Sequence, residues 1–183
     1  MLSILLALVV SASPFPGCPA QGDNPTARIQ HLDLLKNRAV APATINPAVT
    51  LTALMAGETW PDHTGATVKG YVVEVKRGGV ESVNCHSKAH QDTHIEISPY
   101  PHPRHGHVMI VEYTPFVKAR EGITTHSLEK YLGKCVKVSG WLFNDIEHKN
   151  AAFDTAPDNK HDWRQTTEEI HPVFGMTTCK ENP

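Results

Sequence analysis

The chain has 183 residues, of which 40% are hydrophobic, 20% charged and 7% aromatic, and its formal net charge is −2 with histidine neutral. This length suits one domain with short extensions. The near-neutral charge disfavours a protein that binds nucleic acid mainly through bulk positive charge, and the hydrophobic content excludes a fully disordered chain. The chain also contains twelve histidines, so it would become clearly cationic in mildly acidic surroundings.

The N-terminus has the pattern of a secretory signal peptide, which we place at residues 1–20. Residues 2–10 are almost entirely apolar and too few to span a bilayer. Cleavage is expected after Ser13 or Ala20, and the residues up to Cys18 loosely match a lipoprotein site with its lipid anchor on that cysteine. We therefore predict an extracytoplasmic protein, either periplasmic or secreted. The alternative is an apolar N-terminus of a cytosolic protein.

The four cysteines match no zinc-binding or CxxC spacing, and export would permit them to form disulfides. Cys135 opens the fourth predicted strand, and an antiparallel fifth strand would bring Cys179 close to it. This pair is therefore a candidate disulfide, with two separate buried thiols as the alternative. If Cys18 leaves with a signal peptide or carries a lipid, three cysteines remain: Cys85, Cys135 and Cys179.

Residues 21–65 predict an N-terminal extension that contains one short helix. Asn24 and Pro25 suit the N-cap and the first position of a helix that ends near Arg38. Residues 49–55 are apolar enough to form either a strand or a helical turn.

Residues 66–179 predict the main domain, and residues 180–183 form a tail. Runs of β-branched and aromatic residues indicate five strands. A helix separates the third strand from the fourth, with Thr125 as its cap and Gly133 just beyond its end. The predicted strands lie at about 68–75, 93–97, 108–113, 135–143 and 170–177, and the helix lies at about 125–132.

This order of elements is that of the OB-fold, a five-stranded Greek-key barrel. We predict a mainly β protein: a five-stranded OB-fold-like Greek-key barrel with a helix between strands 3 and 4 and an N-terminal helical extension. The alternative is a different small β-barrel or a sandwich. In OB-folds, strands 2 and 3 and the loop between strands 4 and 5 usually bind the ligand. That loop is long and polar here, at residues 144–168.

Several short segments resemble a group of exported bacterial proteins that have an OB-like domain and uncertain biochemistry. The resemblance covers about residues 30–175 and implies an OB-like fold and an extracytoplasmic setting, without assigning a reaction. The chain departs from the pattern at Glu168, where a tryptophan is expected. The segments are LKNR at 35–38, GYVVEVK at 70–76, DTHIE at 92–96, VEYTP at 111–115, GWLFND at 140–145 followed by Glu147 and His148, and EIHP at 169–172.

Three stretches of the sequence pair histidine with carboxylates. His94 and Glu96 are two residues apart on a strand, so their side chains point to the same face about 6.6 Å apart along it. Glu169 and His171 have the same spacing on the last strand. The third stretch contains Asp145, Glu147 and His148.

Imidazole and carboxylate groups suit both divalent-metal binding and general acid–base catalysis. The alternative is that these residues form ordinary charged strand faces. A separate histidine cluster lies in the loop after the second strand, and such loops bind metal ions adventitiously. The predicted metal ligands, for one divalent ion of unknown identity, are His94, Glu96 and Asp145. The predicted catalytic residues are His148, His171 and Glu169. The predicted substrate-binding residues are Trp163, by stacking, and Arg164, by bidentate hydrogen bonds. The separate histidine cluster in the loop after the second strand consists of His102, His105 and His107.

The leading functional hypothesis is an exported, metal-dependent hydrolase that acts on a small or oligomeric phosphoester, including phosphodiesters. The metal would lower the pKa of its bound water. The alternative is a non-catalytic module that binds oligosaccharide or single-stranded nucleic acid, as other OB-folds do. A third hypothesis is an envelope protein with a structural role. The chain has no strong nucleic-acid signature and no P-loop, GxSxG, GxGxxG or transmembrane pattern, and its sequence leaves the oligomeric state open.

Overall fold

The structure is a computed structural model that describes residues 10–179. Most of the predicted signal peptide's apolar core and the predicted tail lie outside the described residues. The centre of the molecule is a closed five-stranded barrel. Its strands are β1 (Gly65–Arg77), β2 (Thr93–Ser98), β3 (Met109–Tyr113), β4 (Cys135–Asn144) and β5 (Glu168–Thr178). The helices are α1 (Ala27–Lys36), α2 (Leu51–Met55), α3 (Pro115–Glu121) and α4 (Thr125–Leu128).

The strand order around the barrel is β1-β2-β3-β5-β4. The long β1 pairs with β2 through one half and with β4 through the other, both antiparallel. The closing contact is a short parallel pairing of β3 with β5, at Ile110–Glu169 and Val111–Ile170. Together with the helices between β3 and β4, this order is that of an OB-fold Greek-key barrel, so the predicted fold class is confirmed.

The barrel interior is apolar and is covered at one end by α2. Alternate side chains of β1, β2 and β4 point inward and are fully buried, as the two-residue period of a strand requires. Gly70 lies at a crowded point of β1, where an added Cβ would lie 2.7 Å from a methyl carbon of Leu51. Glycine therefore lets α2 pack closely on the barrel. The apolar segment 49–55, for which strand and helix were both open, is helical from Leu51.

The caps of two helices differ from those that the sequence predicts, although α4 begins at Thr125 as expected. Helix α1 begins at Ala27 with Thr26 in the N-cap position, because the Asn24 side chain accepts a hydrogen bond from the Thr26 amide instead of capping the helix. Helix α4 is capped by Thr124 rather than by Thr125, and a 3₁₀ turn continues it to Tyr131.

Helix α3 was not predicted, although its ends follow standard rules. The Thr114 side chain accepts a hydrogen bond from the Val117 amide, and Pro115 occupies the first helical turn. Gly122 ends the helix with φ at 65°, a value that glycine adopts without strain.

Two disulfides join distant parts of the chain. Cys135 and Cys179 are bonded, with their Cα atoms 5.3 Å apart, which confirms the candidate pair. Cys18 is bonded to Cys85, which the sequence did not predict because Cys18 was assigned to a leader or a lipid anchor. A cysteine in a disulfide has no thiol for a lipid, so this bond is incompatible with a lipid anchor on Cys18. None of the helices within residues 10–179 has the length and apolar character needed to cross a bilayer.

A candidate acid–base cavity

A cavity of about 220 Å³ lies between α1, the neighbouring ends of several barrel strands, and the loop after β4. Trp163 and Arg164 reach it from that loop. Six of the eight predicted site residues line this cavity. The other two are Glu96, which lines a neighbouring depression, and His171, which is fully buried behind the cavity. The six that line the cavity are His94, Asp145, His148, Trp163, Arg164 and Glu169.

His148 is oriented by the carboxylate of Asp145. Asp145 follows β4, caps the short 3₁₀ turn at residues 146–148, and bonds His148 Nδ1 through Oδ2 at 2.5 Å. Burial alone would raise the pKa of Asp145, but the bond to His148 and the nearby Lys36 hold it well below its usual range. The Asp145 hydrogen bond in turn raises the pKa of His148. Since Nδ1 is engaged, Nε2 is the nitrogen that can exchange a proton with a ligand.

His94 is oriented in the same way by a carboxylate on the neighbouring strand. His94 on β2 lies directly opposite Glu112 on β3, and its Nδ1 is 2.9 Å from Glu112 Oε1. Burial disfavours the charged ring, but Glu112 and Glu96 outweigh this effect and raise the pKa of His94 to about 9. Despite burial, the bond to His94 lowers the pKa of Glu112 to about 2. This pair is therefore an imidazolium and a carboxylate at neutral pH.

The two cavity histidines are the ends of one row of alternating bases and acids, which we call the charge chain. His171 Nδ1 lies 3.4 Å from Glu112 Oε2 and 3.3 Å from Glu169 Oε2. Arg164 Nη1 lies 2.7 Å from Glu169 Oε1 and 3.4 Å from Asp145 Oδ2. Each acid therefore lies between two bases. The charge chain runs His94, Glu112, His171, Glu169, Arg164, Asp145, His148.

The alternation explains how so many charges are buried together. Taking an ion out of water costs several kcal/mol, and only close partners of opposite charge offset this cost. His171 has no exposed surface, yet the bond to Glu169 and the nearby Glu112 and Asp92 raise its pKa against the effect of burial. The ring of His171, a predicted catalytic residue, lies behind the cavity and does not line it. His171 can act only through the carboxylates that it contacts.

Trp163 lies beside both cavity histidines. Its ring centre is 5.5 Å from that of His94 and 6.4 Å from that of His148, and Lys76 Nζ is 5.8 Å from its ring centre. The next residue, Arg164, is only 1% exposed. Arg164 Nε donates to the carbonyl of Thr166, and its Nη2 has no hydrogen-bond partner. Of the three guanidinium nitrogens of Arg164, only Nη2 is therefore available to donate a hydrogen bond to a substrate.

The predicted metal ligands already have partners within the protein. Glu96 pairs with Lys76 at 3.1 Å, and Asp145 pairs with His148 and Arg164. A cation at this point would compete with three basic side chains, so the contacts do not favour a metal on His94, Glu96 and Asp145. A different group could hold a metal ion: one donor atom from each of Asp92, Glu112 and His171 lies within 4.8 Å of the other two.

Two residues at the centre of the site were missed from the sequence. Glu112 is the acidic residue of β3, a strand whose five residues are all buried, and this mismatch is the signal that could have identified it. Lys36 is 3% exposed at the end of α1 and pairs with Glu81 and Glu147 at 3.5 and 3.6 Å. Its signal was weaker, because a lysine in the last turn of a helix is ordinary.

No protein-family model matches the chain, and no curated protein sequence matches it. Among solved structures, the crystal structure of yeast Stn1 and Ten1 is similar over 64% of this chain, with 12% identity and a TM-score of 0.35. This chain spans 44% of the matched chain in that structure. The similarity is too low to inform the site, and the fold assignment stands on the strand order of the barrel.

Proposed function

We propose that the protein is a phosphoester hydrolase in which His148 and His94 are the general base and the general acid. The observation that carries this proposal is that both histidines line one cavity and that each has its Nδ1 bonded to a buried carboxylate. A carboxylate on Nδ1 fixes the tautomer and the ring orientation, which leaves Nε2 for proton transfer.

The other groups of the cavity support an anionic ligand with an apolar part. Lys76 and Arg77 lie at its edge, and the unpartnered Nη2 of buried Arg164 is a donor without an acceptor in the protein. A guanidinium donor binds phosphate oxygens well. Trp163 offers a ring on which a base or another flat leaving group would stack.

The histidines divide the proton transfers between them. Neutral His148 accepts a proton from water through Nε2, and the water oxygen forms a bond to phosphorus. The bond from phosphorus to the leaving oxygen breaks, and protonated His94 donates its Nε2 proton to that oxygen. His94 Nε2 has no hydrogen-bond partner and lies 3.6 Å from Glu96 Oε1, so the transfer requires the ring to present Nε2 to the cavity. Asp145 and Glu112 stabilise the charged rings.

This proposal differs from the sequence-based hypothesis in the role of metal. The carboxylates predicted as ligands instead pair with Lys76, His148 and Arg164, so the substrate contacts of the proposed reaction need no metal ion. We therefore expect hydrolysis to survive EDTA. Complete loss with EDTA and recovery with one divalent ion, in protein that circular dichroism shows to stay folded, would restore the metal-dependent hypothesis.

The test is hydrolysis of bis(4-nitrophenyl) phosphate by the wild type and by His148→Ala. Removing a general base costs about 10²–10⁴-fold in kcat. The matched control is His126→Ala, because His126 also bonds a carboxylate three residues away, Glu129 at 2.9 Å, but its side chain is 91% exposed and lies outside the cavity. Equal losses in both variants, or an unchanged rate in His148→Ala, would contradict the proposal.

The second candidate is a binding module for oligosaccharide or single-stranded nucleic acid. Trp163 beside Lys76 favours it, because an aromatic ring next to a cation suits both kinds of ligand. Folded wild-type protein that binds such a ligand, loses that affinity in Trp163→Ala, and turns over no phosphoester would establish this candidate instead.

A further inference from the structure

The group formed by Asp92, Glu112 and His171 lies behind the cavity and shares Glu112 with the proposed catalytic groups. Asp92 is 3% exposed, Glu112 7% and His171 0%. Of the three, only Glu112 also lines the cavity. Asp92 directly precedes β2, Glu112 lies on β3 and His171 lies on β5. The group therefore joins three neighbouring segments of the barrel at one point.

The two nitrogens of His171 have different surroundings. Nδ1 is bonded to Glu169 Oε2 and also lies 3.4 Å from Glu112 Oε2, so Glu112 must turn toward Nε2 to share an ion with it. Nε2 is completely buried without a hydrogen-bond partner, and it faces Asp92 Oδ2 at 3.7 Å. Asp92 Oδ1 is also buried without a partner. A metal-binding histidine typically donates its other N–H to a carboxylate, and here Glu169 is placed to accept it.

The buried ionisable groups next to His171 are mostly acids. Asp92, Glu112 and Glu169 are all buried, and the half-buried Lys118 is the cation that interacts with both Asp92 and Glu112. A divalent ion in place of a proton on His171 Nε2 would add one positive charge among these carboxylates.

The group lies beside the strand pair of the barrel that has the fewest paired residues. β3 and β5 pair at only two positions, the second of which is Val111 with Ile170. Glu112 and His171 are the next residues along the two strands. A bound ion would therefore extend the closure of the barrel just where the backbone pairing ends.

We propose that Asp92, Glu112 and His171 bind one divalent transition-metal ion such as Zn²⁺, which holds β3 and β5 together. One nitrogen and two carboxylate ligands are a set that Zn²⁺ accepts, with ligand atoms about 3.4 Å apart in a tetrahedral site. The three donor atoms already lie within 4.8 Å of one another, so the groups need to close by no more than about 1.5 Å. The site is structural, because Asp92 and His171 do not reach the cavity.

The experiment is titration of the full chain with ZnCl₂ by calorimetry, with metal content measured after dialysis. It starts from the variant His102→Ala/His105→Ala/His107→Ala, which removes the exposed histidine loop as an adventitious site. We expect one equivalent of Zn²⁺ to bind this variant and to raise its Tm by about 5 °C or more at saturating metal. Adding Asp92→Asn should weaken binding at least 100-fold. Adding Asp23→Asn, an exposed acid that pairs with His86, should leave it unchanged.

Two results would overturn the proposal: no stoichiometric binding once the loop histidines are removed, or unchanged affinity in Asp92→Asn. Circular dichroism and the metal-free Tm show whether Asp92→Asn folds, and Glu112→Gln is the second variant if it does not. Co²⁺ bound to the same protein should give the visible absorption of an N/O site. The readouts are metal binding and stability, so failure of the hydrolase proposal leaves this test intact.

Discussion

The loop after β2 and the charge chain each contain three histidines, and the two groups have opposite surroundings. His102, His105 and His107 lie within six residues of sequence, and the first two are exposed. The histidines of the charge chain come from three distant segments, and each has a buried carboxylate at Nδ1. Closeness in sequence therefore does not indicate which histidines lie beside buried carboxylates. The informative pattern is a histidine on one strand opposite an acid on the next, as at His94 and Glu112.

The largest difference between the two groups should appear in stability. Glu169→Ala leaves Arg164 and His171 buried without their shared acid, and breaking a buried ion pair costs about 3–5 kcal/mol. His105→Ala removes an exposed side chain and should change the free energy of unfolding by no more than about 0.5 kcal/mol. Urea denaturation measures both. A cost below about 1 kcal/mol for Glu169→Ala would show that the charge chain does not stabilise the fold.

The same contrast predicts how stability depends on pH. The pKa of His94 rises from 6.5 when unfolded to about 9 when folded, so its contribution is complete below pH 6.5 and is lost as the pH rises through 9. This shift corresponds to about 3 kcal/mol at most. Burial also raises the pKa of Asp92 to about 7, so this group too makes the fold less stable as the pH rises toward 7.

The loss of stability at acidic pH should come from other groups. Despite burial, hydrogen bonds to His94 lower the pKa values of Glu112 and Glu96 to about 2, so their contribution is lost as the pH falls from 4.5 toward 2. We expect maximal Tm near pH 5 and a clear fall by pH 9. His94→Gln should flatten the fall above pH 6.5, and His105→Gln should leave it unchanged. Equal slopes in both variants would exclude His94 as the cause.

The smallest expected effect is a shift in the pH–rate profile of the proposed hydrolase. Because the Asp145 hydrogen bond raises the pKa of His148, the rising limb of kcat/KM should lie above the ordinary histidine value of 6.5. Protonated His94 sets the falling limb near pH 9. Asp145→Asn should return the rising limb toward 6.5, whereas a limb that stays in place would assign it to another group.

The strands were predictable because their residues alternate and are bounded by glycine, proline and polar turns. Helix α3 was predictable in principle from Thr114-Pro115 and Gly122, but the seven residues between the caps carry no clear apolar period. The spacing of Glu169 and His171 correctly placed both on one strand face. Spacing says nothing about depth, so it could not show that His171 is covered. The pairings of His94 with Glu112 and of Cys18 with Cys85 join residues far apart in sequence, which local patterns do not report.

The two disulfides close rings that do not overlap along the chain. One spans residues 18–85 and the other residues 135–179, so either can form without the other. The segment between them contains β2, β3, α3 and α4 and belongs to neither ring. His94, Glu112 and Asp92 all lie on this covalently free segment. In an oxidised protein that opens locally, β4 and β5 are the barrel strands that a disulfide holds together, and amide exchange should be slower at the Cys135 end of β4 than in β2 and β3.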